Sequence, residues 1–322
     1  MNYRHAFHAG NPGDVLKHLA LVLLLDHLRR KESPFAYLET HAGRGLYDLA
    51  ADAASRTGEH ESGIRRLWGE PTGSPALARY LEIIARFNDD GRDGGERGGG
   101  RGAAATPLRH YPGSPSFAQA LLRTGDRMTL CELHPEEHQA LRRQLGDDPR
   151  VGVHRLDGYH GLKAFLPPRE RRGLVLIDPP FERPDEYDAL VRGLQLAHRR
   201  FPAGILAAWY PVKRSAPLHA FESSLAAAGI PKILRVELST SADLDPKTKD
   251  PDKPERMVGS RLVIVNPPWR LDESLRAALP GLAERLASDE QGGRWRVDWL
   301  VAERPADAAG RSPRAGKRRR GR

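Results

Sequence analysis

The sequence predicts a doubly wound α/β fold built on a mostly parallel sheet. Short apolar runs alternate with longer segments of helical periodicity through most of the 322 residues. Two of those runs end in loops of a ligand-binding kind. Phe35-Ala-Tyr-Leu-Glu39 leads into Thr40-His-Ala-Gly-Arg-Gly45, and the unbroken apolar run Leu174–Ile177 leads into Asp178-Pro-Pro-Phe181. Open α/β sheets hold ligands at the carboxyl ends of their strands, where both loops fall.

Taken in order, Met1–Asn11 mixes aromatic, histidine and basic residues without periodicity, and Asp14 then opens a helix over about 14–30 that carries Lys17 and His18. The first strand is 35–39. Gly43 and Gly45 permit a tight turn and close approach of a ligand, although the third glycine of a full nucleotide loop is missing. His41 in that loop reads as a ligand contact, or more plainly as a histidine bonded to the loop backbone. No acid follows about 20 residues later, where one would hold ribose hydroxyls. Residues 46–111 instead read as an insertion, with helical candidates at 61–69 and 75–87 and a flexible Gly/Arg-rich loop at 89–105.

The sheet resumes after Tyr111-Pro-Gly-Ser-Pro115. Ser114 suits a helix cap with Pro115 in the first helical position, leaving N–H groups free for a carboxylate. The second strand, 127–132, ends on Glu132, which supplies the missing acid. The third, 151–156, runs into Asp157-Gly158, where an acid can bond a purine amine and a glycine admits the ring. The strand 174–178 is followed by strands at 203–209, 233–238 and 261–266, which makes seven. Helices are expected at 135–145, 159–165, 184–200, 215–228 and 271–288, and 241–257 is a polar connector.

One cysteine, Cys131, excludes an internal disulfide and any multi-cysteine metal site. No run reaches the roughly 18 apolar residues of a membrane span, and the N-terminus lacks a charged-then-apolar signal, so the expected location is cytoplasmic. The net charge of +9 is uneven: eight basic residues and one acid lie in 304–322, which leaves +2 for the rest. That tail is too polar to fold and could add sequence-independent phosphate affinity.

Two successive prolines after Ile177 forbid both helix and further ladder bonds, so Asp178, the Pro179 carbonyl and the Phe181 ring are presented on a stiff turn. A planar base can stack on Phe181 while its exocyclic amine bonds to Asp178 and to the prolyl carbonyl. Two acceptors on one amine aim its lone pair at an electrophile. Asn266-Pro-Pro-Trp269 is a rival with the same pattern. Asp178 is preferred because its strand lies beside the nucleotide loop; Asn266 reads as an exit turn with Trp269 packed on the body.

Asp-Pro-Pro-aromatic resembles motif IV of the amino-methyltransferases, which use S-adenosylmethionine. The wider set, Tyr3-Arg-His-Ala-Phe-His-Ala-Gly-Asn11, Asp14–His18, Thr40–Gly43, Tyr111–Pro115, Glu132-Leu-His-Pro135, Asp157-Gly158, Ile177–Pro180, Trp209-Tyr-Pro211 and Asn266–Trp269, resembles the RlmJ-type methyltransferases of bacterial 23S ribosomal RNA, which methylate an adenine at N6. The likeness covers about 2–303 and implies a Rossmann-like class I S-adenosylmethionine-dependent methyltransferase. It also implies that His18, His41, Ser114, Glu132, Asp157, Gly158 and Asp178 contact the cofactor. Asp178 would in addition accept the amine proton, and Tyr3, on a mobile arm, would touch the RNA. Lys17 would add positive charge near a carboxylate or phosphate, unless it is only a helix-surface lysine. The family usually has Tyr after its two prolines, where this chain has Phe181; stacking survives that change and a hydroxyl contact does not. A sulfonium methyl is electrophilic without a metal, and a monomer is the simpler expectation for an enzyme approaching large RNA. The alternatives are the same chemistry on DNA adenine, guanine N2 or a glutamine amide, and a non-catalytic RNA-binding or ribosome-assembly protein.

Overall fold

In the computed structural model the sheet forms as the apolar runs require, around a first helix buried on almost every side. The structure describes residues 4–89, 106–213, 215–241, 257–290 and 292–303. Tyr3, the segment 90–105, most of the 241–257 connector and the basic stretch 304–322 lie outside the described residues.

The first helix, α1 (Pro12–Arg29), is capped by Asn11, whose side chain accepts the Asp14 N–H at 2.9 Å; Asp14 itself sits inside the first turn. Its apolar residues continue round the cylinder, as a fully enclosed helix requires, and that enclosure takes Asp14, Lys17 and His18 inside with them. After β1 (Ala36–Glu39), the insertion is closed at its base by β2 (Leu46–Asp48) and β3 (His110–Pro112), an antiparallel ribbon. Between them lie α2 (Asp52–Thr57), α3 (Glu59–Ser62) and α4 (Pro75–Arg86). The helix expected at 61–69 is broken. α3 ends at Gly63 and a separate 3-10 turn, Ile64–Arg66, follows. Gly63 packs against the N-terminal segment so closely that a Cβ there would lie 2.0 Å from the Gly10 carbonyl oxygen, which no continuing helix tolerates.

The chain then runs through α5 (Ser114–Leu121), β4 (Arg127–Cys131), α6 (Pro135–Leu145), β5 (Val151–His154), α7 (Gly158–Phe165), β6 (Gly173–Ile177) and α8 (Glu186–Arg200). It closes with β7 (Ile205–Val212), α9 (Leu218–Ala226), β8 (Ile233–Ser239), β9 (Gly259–Val265), α10 (Leu271–Arg285) and β10 (Arg294–Val301). Among the described residues the main sheet has eight strands in the order β10-β8-β9-β7-β6-β1-β4-β5, one more than the seven expected. The extra strand is β10, which pairs antiparallel with β8 at the sheet edge.

Strands β5, β4, β1, β6 and β7 are parallel. The chain leaves β1 toward β4 on one side and returns to β6 on the other, so the switch point of the sheet lies between Glu39 and Ile177. Strand β9 is antiparallel to β7, with Val265 opposite Leu206. Asn266 therefore leaves the sheet at the edge opposite Asp178. Its amide donates to the Pro202 and Gly204 carbonyls at 2.8 and 2.9 Å, a structural role at the entry to β7. Trp269 does not pack on the body as expected: it is 84% exposed.

Candidate active site

The carboxyl ends of β1, β4 and β6 open into a cavity of about 1100 Å³. Of the residues singled out from the sequence, His18, His41, Ser114, Glu132, Asp178, Pro179 and Phe181 line it; Lys17, Asp157 and Gly158 do not.

Asp178 follows the last residue of β6 and is held by α1. Lys17 Nζ lies 2.6 Å from Asp178 Oδ2 and 2.9 Å from Asp14 Oδ1. Asp14 Oδ2 in turn accepts from the Gly10 N–H at 2.9 Å and meets His5 Nε2 at 2.8 Å. Lys17 is only 4% exposed, so it is no helix-surface lysine. Although burial opposes it, the charges of Asp14 and Asp178 hold the Lys17 pKa well above the ordinary value, and it stays a cation. The carboxylate the sequence placed it near is the protein's own. Asp178 Oδ1 makes no hydrogen bond among the described residues. Phe181 adopts φ 51°, the left-handed region that non-glycine residues rarely enter, and this turns its ring against Tyr187 (4.9 Å between centroids) and the edge of Trp209 (6.1 Å).

His18 is fully buried. Its Nδ1 lies 2.7 Å from the Tyr111 hydroxyl, which meets the Tyr80 hydroxyl at 3.0 Å, while Nε2 has no partner among the described residues. Burial lowers its pKa well below the ordinary value, so the ring is neutral. His41 Nδ1 meets Thr40 Oγ1 at 2.8 Å, and burial pushes its pKa down to about 4. Glu132 fastens the glycine loop: its two oxygens accept the Gly43 N–H at 2.8 Å and the His134 N–H at 2.7 Å, and burial raises its pKa. Gly43 and Gly45 have φ of 63° and 86°, which only glycine adopts freely.

Ser114 does not cap α5. Gly113 occupies the cap position, and the Ser114 hydroxyl donates to buried Glu39 instead. With Pro115 lacking an N–H and the Ser116 and Phe117 N–H groups reaching back to the Gly113 carbonyl, fewer donors are open at this helix start than the sequence suggested. Asp157 caps α7 through the His160 N–H at 3.0 Å. Gly158 is required by protein packing, because a Cβ there would lie 2.3 Å from the Thr40 carbonyl oxygen.

The N-terminal arm does not hang free from Arg4 onward. Arg4 pairs with Glu136 at 3.1 Å, and His8 and Asn11 both bond Glu59 of α3 at 2.9 Å. Beyond Asp178 and Trp209 the cavity continues to α2–α3 and the ends of β7 and β8, where Arg56 and Lys213 line it. Arg56 and Lys213 carry no local signal in the sequence; they lie 157 residues apart, and only the tertiary fold puts both on one cavity wall.

A family profile described as "Ribosomal RNA large subunit methyltransferase D, RlmJ" matches residues 32–301. The chain is a member of the RlmJ family. Two relatives named Ribosomal RNA large subunit methyltransferase J, from Haemophilus influenzae and Escherichia coli, are 41% and 40% identical over 303 residues, covering 94% of this chain and 100% of each relative. A crystal structure of a Legionella pneumophila protein aligns with a TM-score of 0.76 at 33% identity, covering 91% of this chain and 98% of that one. The family and the α/β fold expected from the sequence are thus both borne out. RlmJ membership makes S-adenosylmethionine the methyl donor. The cavity fits such a group: it offers an unpartnered buried imidazole nitrogen at His18 and the Glu132 carboxylate beside the Gly43 turn.

Proposed function

We infer that this protein methylates the N6 amine of an adenine in 23S ribosomal RNA. The observation that carries the reading is the Asp178 edge: a carboxylate with one oxygen held by Lys17 and the other open, beside a stacking ring, in one cavity with His18, His41, Ser114 and Glu132. Its volume exceeds the usual range of about 300–1,000 Å³ for a single small-molecule site, which leaves room for a base beside the cofactor. Arg56 and Lys213 make no ion pair among the described residues and line the far end, as suits a polyanionic strand.

In this reading His18, His41, Ser114, Glu132, Asp157 and Gly158 bind S-adenosylmethionine, with Glu132 on the diol and Asp157 toward the adenine amine. The cofactor supplies an electrophilic methyl group. Phe181 stacks the unpaired target base, worth about 1–3 kcal/mol by comparison with other base–aromatic contacts. Asp178 Oδ1 and the Pro179 carbonyl accept the two amine hydrogens and hold N6 in line. Lys17 fixes the other Asp178 oxygen, so that orientation costs nothing at the moment of reaction. The amine proton becomes acidic only after methylation, so Asp178 accepts it without being a strong base. Tyr3 touches the RNA, the protein acts as a monomer, and the body is a single methyltransferase domain over 1–303.

The test is methyl transfer from labelled S-adenosylmethionine to protein-free 23S rRNA from cells lacking the enzyme, followed by nucleoside analysis. Label in N6-methyladenosine is expected. Label on guanine moves the substrate. No label with cofactor bound redirects it to DNA, protein or an assembled particle, and no cofactor-dependent thermal shift leaves only a binding protein.

A further inference from the structure

We propose that Trp209 reads the target base: its indole N–H donates to a ring nitrogen flanking the methylated amine. This rests on the base-amine reading above and adds the group that identifies the base. Parallel pairing sets Ile177 of β6 opposite Ala208 of β7, which makes Asp178 and Trp209 the next pair at the carboxyl edge. Paired residues of neighbouring strands stand roughly 4.8 Å apart and face the same side. Both side chains lie on the α1 face. Lys17 of α1 reaches Asp178, and a Cβ built on Gly13 of α1 would lie 3.3 Å from Trp209 Cζ2. The Trp209 ring also stands edge-on to Phe181, at 69° between planes, and lines the cavity.

Trp209 Nε1 is buried and has no acceptor among the described residues. An indole nitrogen can only donate, so this is an unspent donor on the residue that register sets next to Asp178, whose Oδ1 accepts nothing among the described residues. Buried donors are seldom left unpaired in folded proteins, and an acceptor carried in by the substrate would complete this one. Acceptor and donor side by side are the complement of an amine next to a ring nitrogen lone pair. In adenine both ring nitrogens that flank N6, N1 and N7, are acceptors. In guanine N1 carries a hydrogen and only N3 beside the N2 amine is an acceptor, so one of its two flanks would set donor against donor. A site built to bond one group rejects an analogue without it because its own polar atom is then stranded.

The experiment uses the full chain and a short RNA containing the mapped methylation site, made with adenosine, 1-deazaadenosine or 7-deazaadenosine at the target. With wild-type enzyme, one of the two analogues should lose about tenfold to a hundredfold in kcat/KM, and the other should match adenosine. In Trp209→Phe the adenosine RNA should fall by a similar factor, the analogue penalty should vanish, and calorimetric cofactor affinity should hold. A merely structural tryptophan would leave the penalty in place. Equal rates on all three RNAs with wild-type enzyme overturn the proposal without any variant, as does a penalty that persists in Trp209→Phe. Failure of wild-type enzyme to methylate the adenosine RNA while binding cofactor overturns the base reading itself.

Discussion

Asp178 and Glu39 sit on neighbouring strands at one sheet edge, and their surroundings give them opposite tasks. Asp178 is partly open to the cavity and paired with Lys17; in Asp178→Ala the lysine keeps Asp14, so the fold should survive. Turnover should fall at least about a hundredfold, as for loss of a positioned transition-state contact, while calorimetric cofactor affinity stays within about tenfold. Substantial remaining activity would remove Asp178 from the mechanism. Glu39 is sealed off, and burial pushes its pKa up to about 8 against hydrogen bonds from Ser114 and Tyr37. Between its ordinary value near 4.5 and about 8 the folded chain keeps a proton that the unfolded chain releases. Stability is therefore full below that window and declines through it by roughly 1.4 kcal/mol per pH unit. Glu39→Gln removes the titration, so its Tm relative to wild type should climb from pH 5 to pH 8; a constant offset would refute this. Asp178 was legible because prolines announce its turn. The Ser114–Glu39 bond was not, because a serine before proline looks like a cap until a buried acid from another strand competes for it.

At the scale of elements, one side chain ties α4 of the insertion to β3. Buried Asn88, just past α4, donates to the Ile84 and His110 carbonyls and accepts the Arg109 and His110 N–H groups, all at 2.7–3.0 Å. Asn88→Ala strands the groups around β3 and should cost about 2–4 kcal/mol, with amide exchange accelerating first in α4 and β3. Uniform acceleration across the sheet would contradict a local fastening. The parallel strands were legible from unbroken apolar runs, and α1, α6 and α7 from periodicity. Strand β10 was not, although Arg294-Trp-Arg-Val-Asp-Trp-Leu-Val301 mixes charge and aromatic residues in the manner of an edge strand. Its Asp298 faces Arg235 of β8, and that cross-strand pairing is invisible until the partner is known. The break at Gly63 likewise depends on Gly10, a neighbour 53 positions earlier.

For the whole molecule, β10 ends at Val301 on the sheet edge opposite the cavity, because it runs antiparallel to β8 and β8 is aligned with β7. The described chain thus reaches Glu303 on the side away from Asp178, and the eight basic residues of 304–322 follow it in sequence. A chain ending at Glu303 should keep its Tm and its kcat, yet lose RNA affinity with a shallower dependence on salt, by about 0.7 in the log–log slope for each phosphate contact removed. An unchanged slope would show the stretch to be irrelevant to RNA. The Lys17–Asp178 bond has a further consequence, for how the protein is made. Its two ends are 161 residues apart, and β6, one of the strands α1 packs against, is translated just before Asp178. At about 5–20 residues per second, the buried helix α1 waits roughly 8–30 s for that cover. A newborn chain must therefore shelter α1 until then, which makes that helix a natural client for ribosome-bound chaperones.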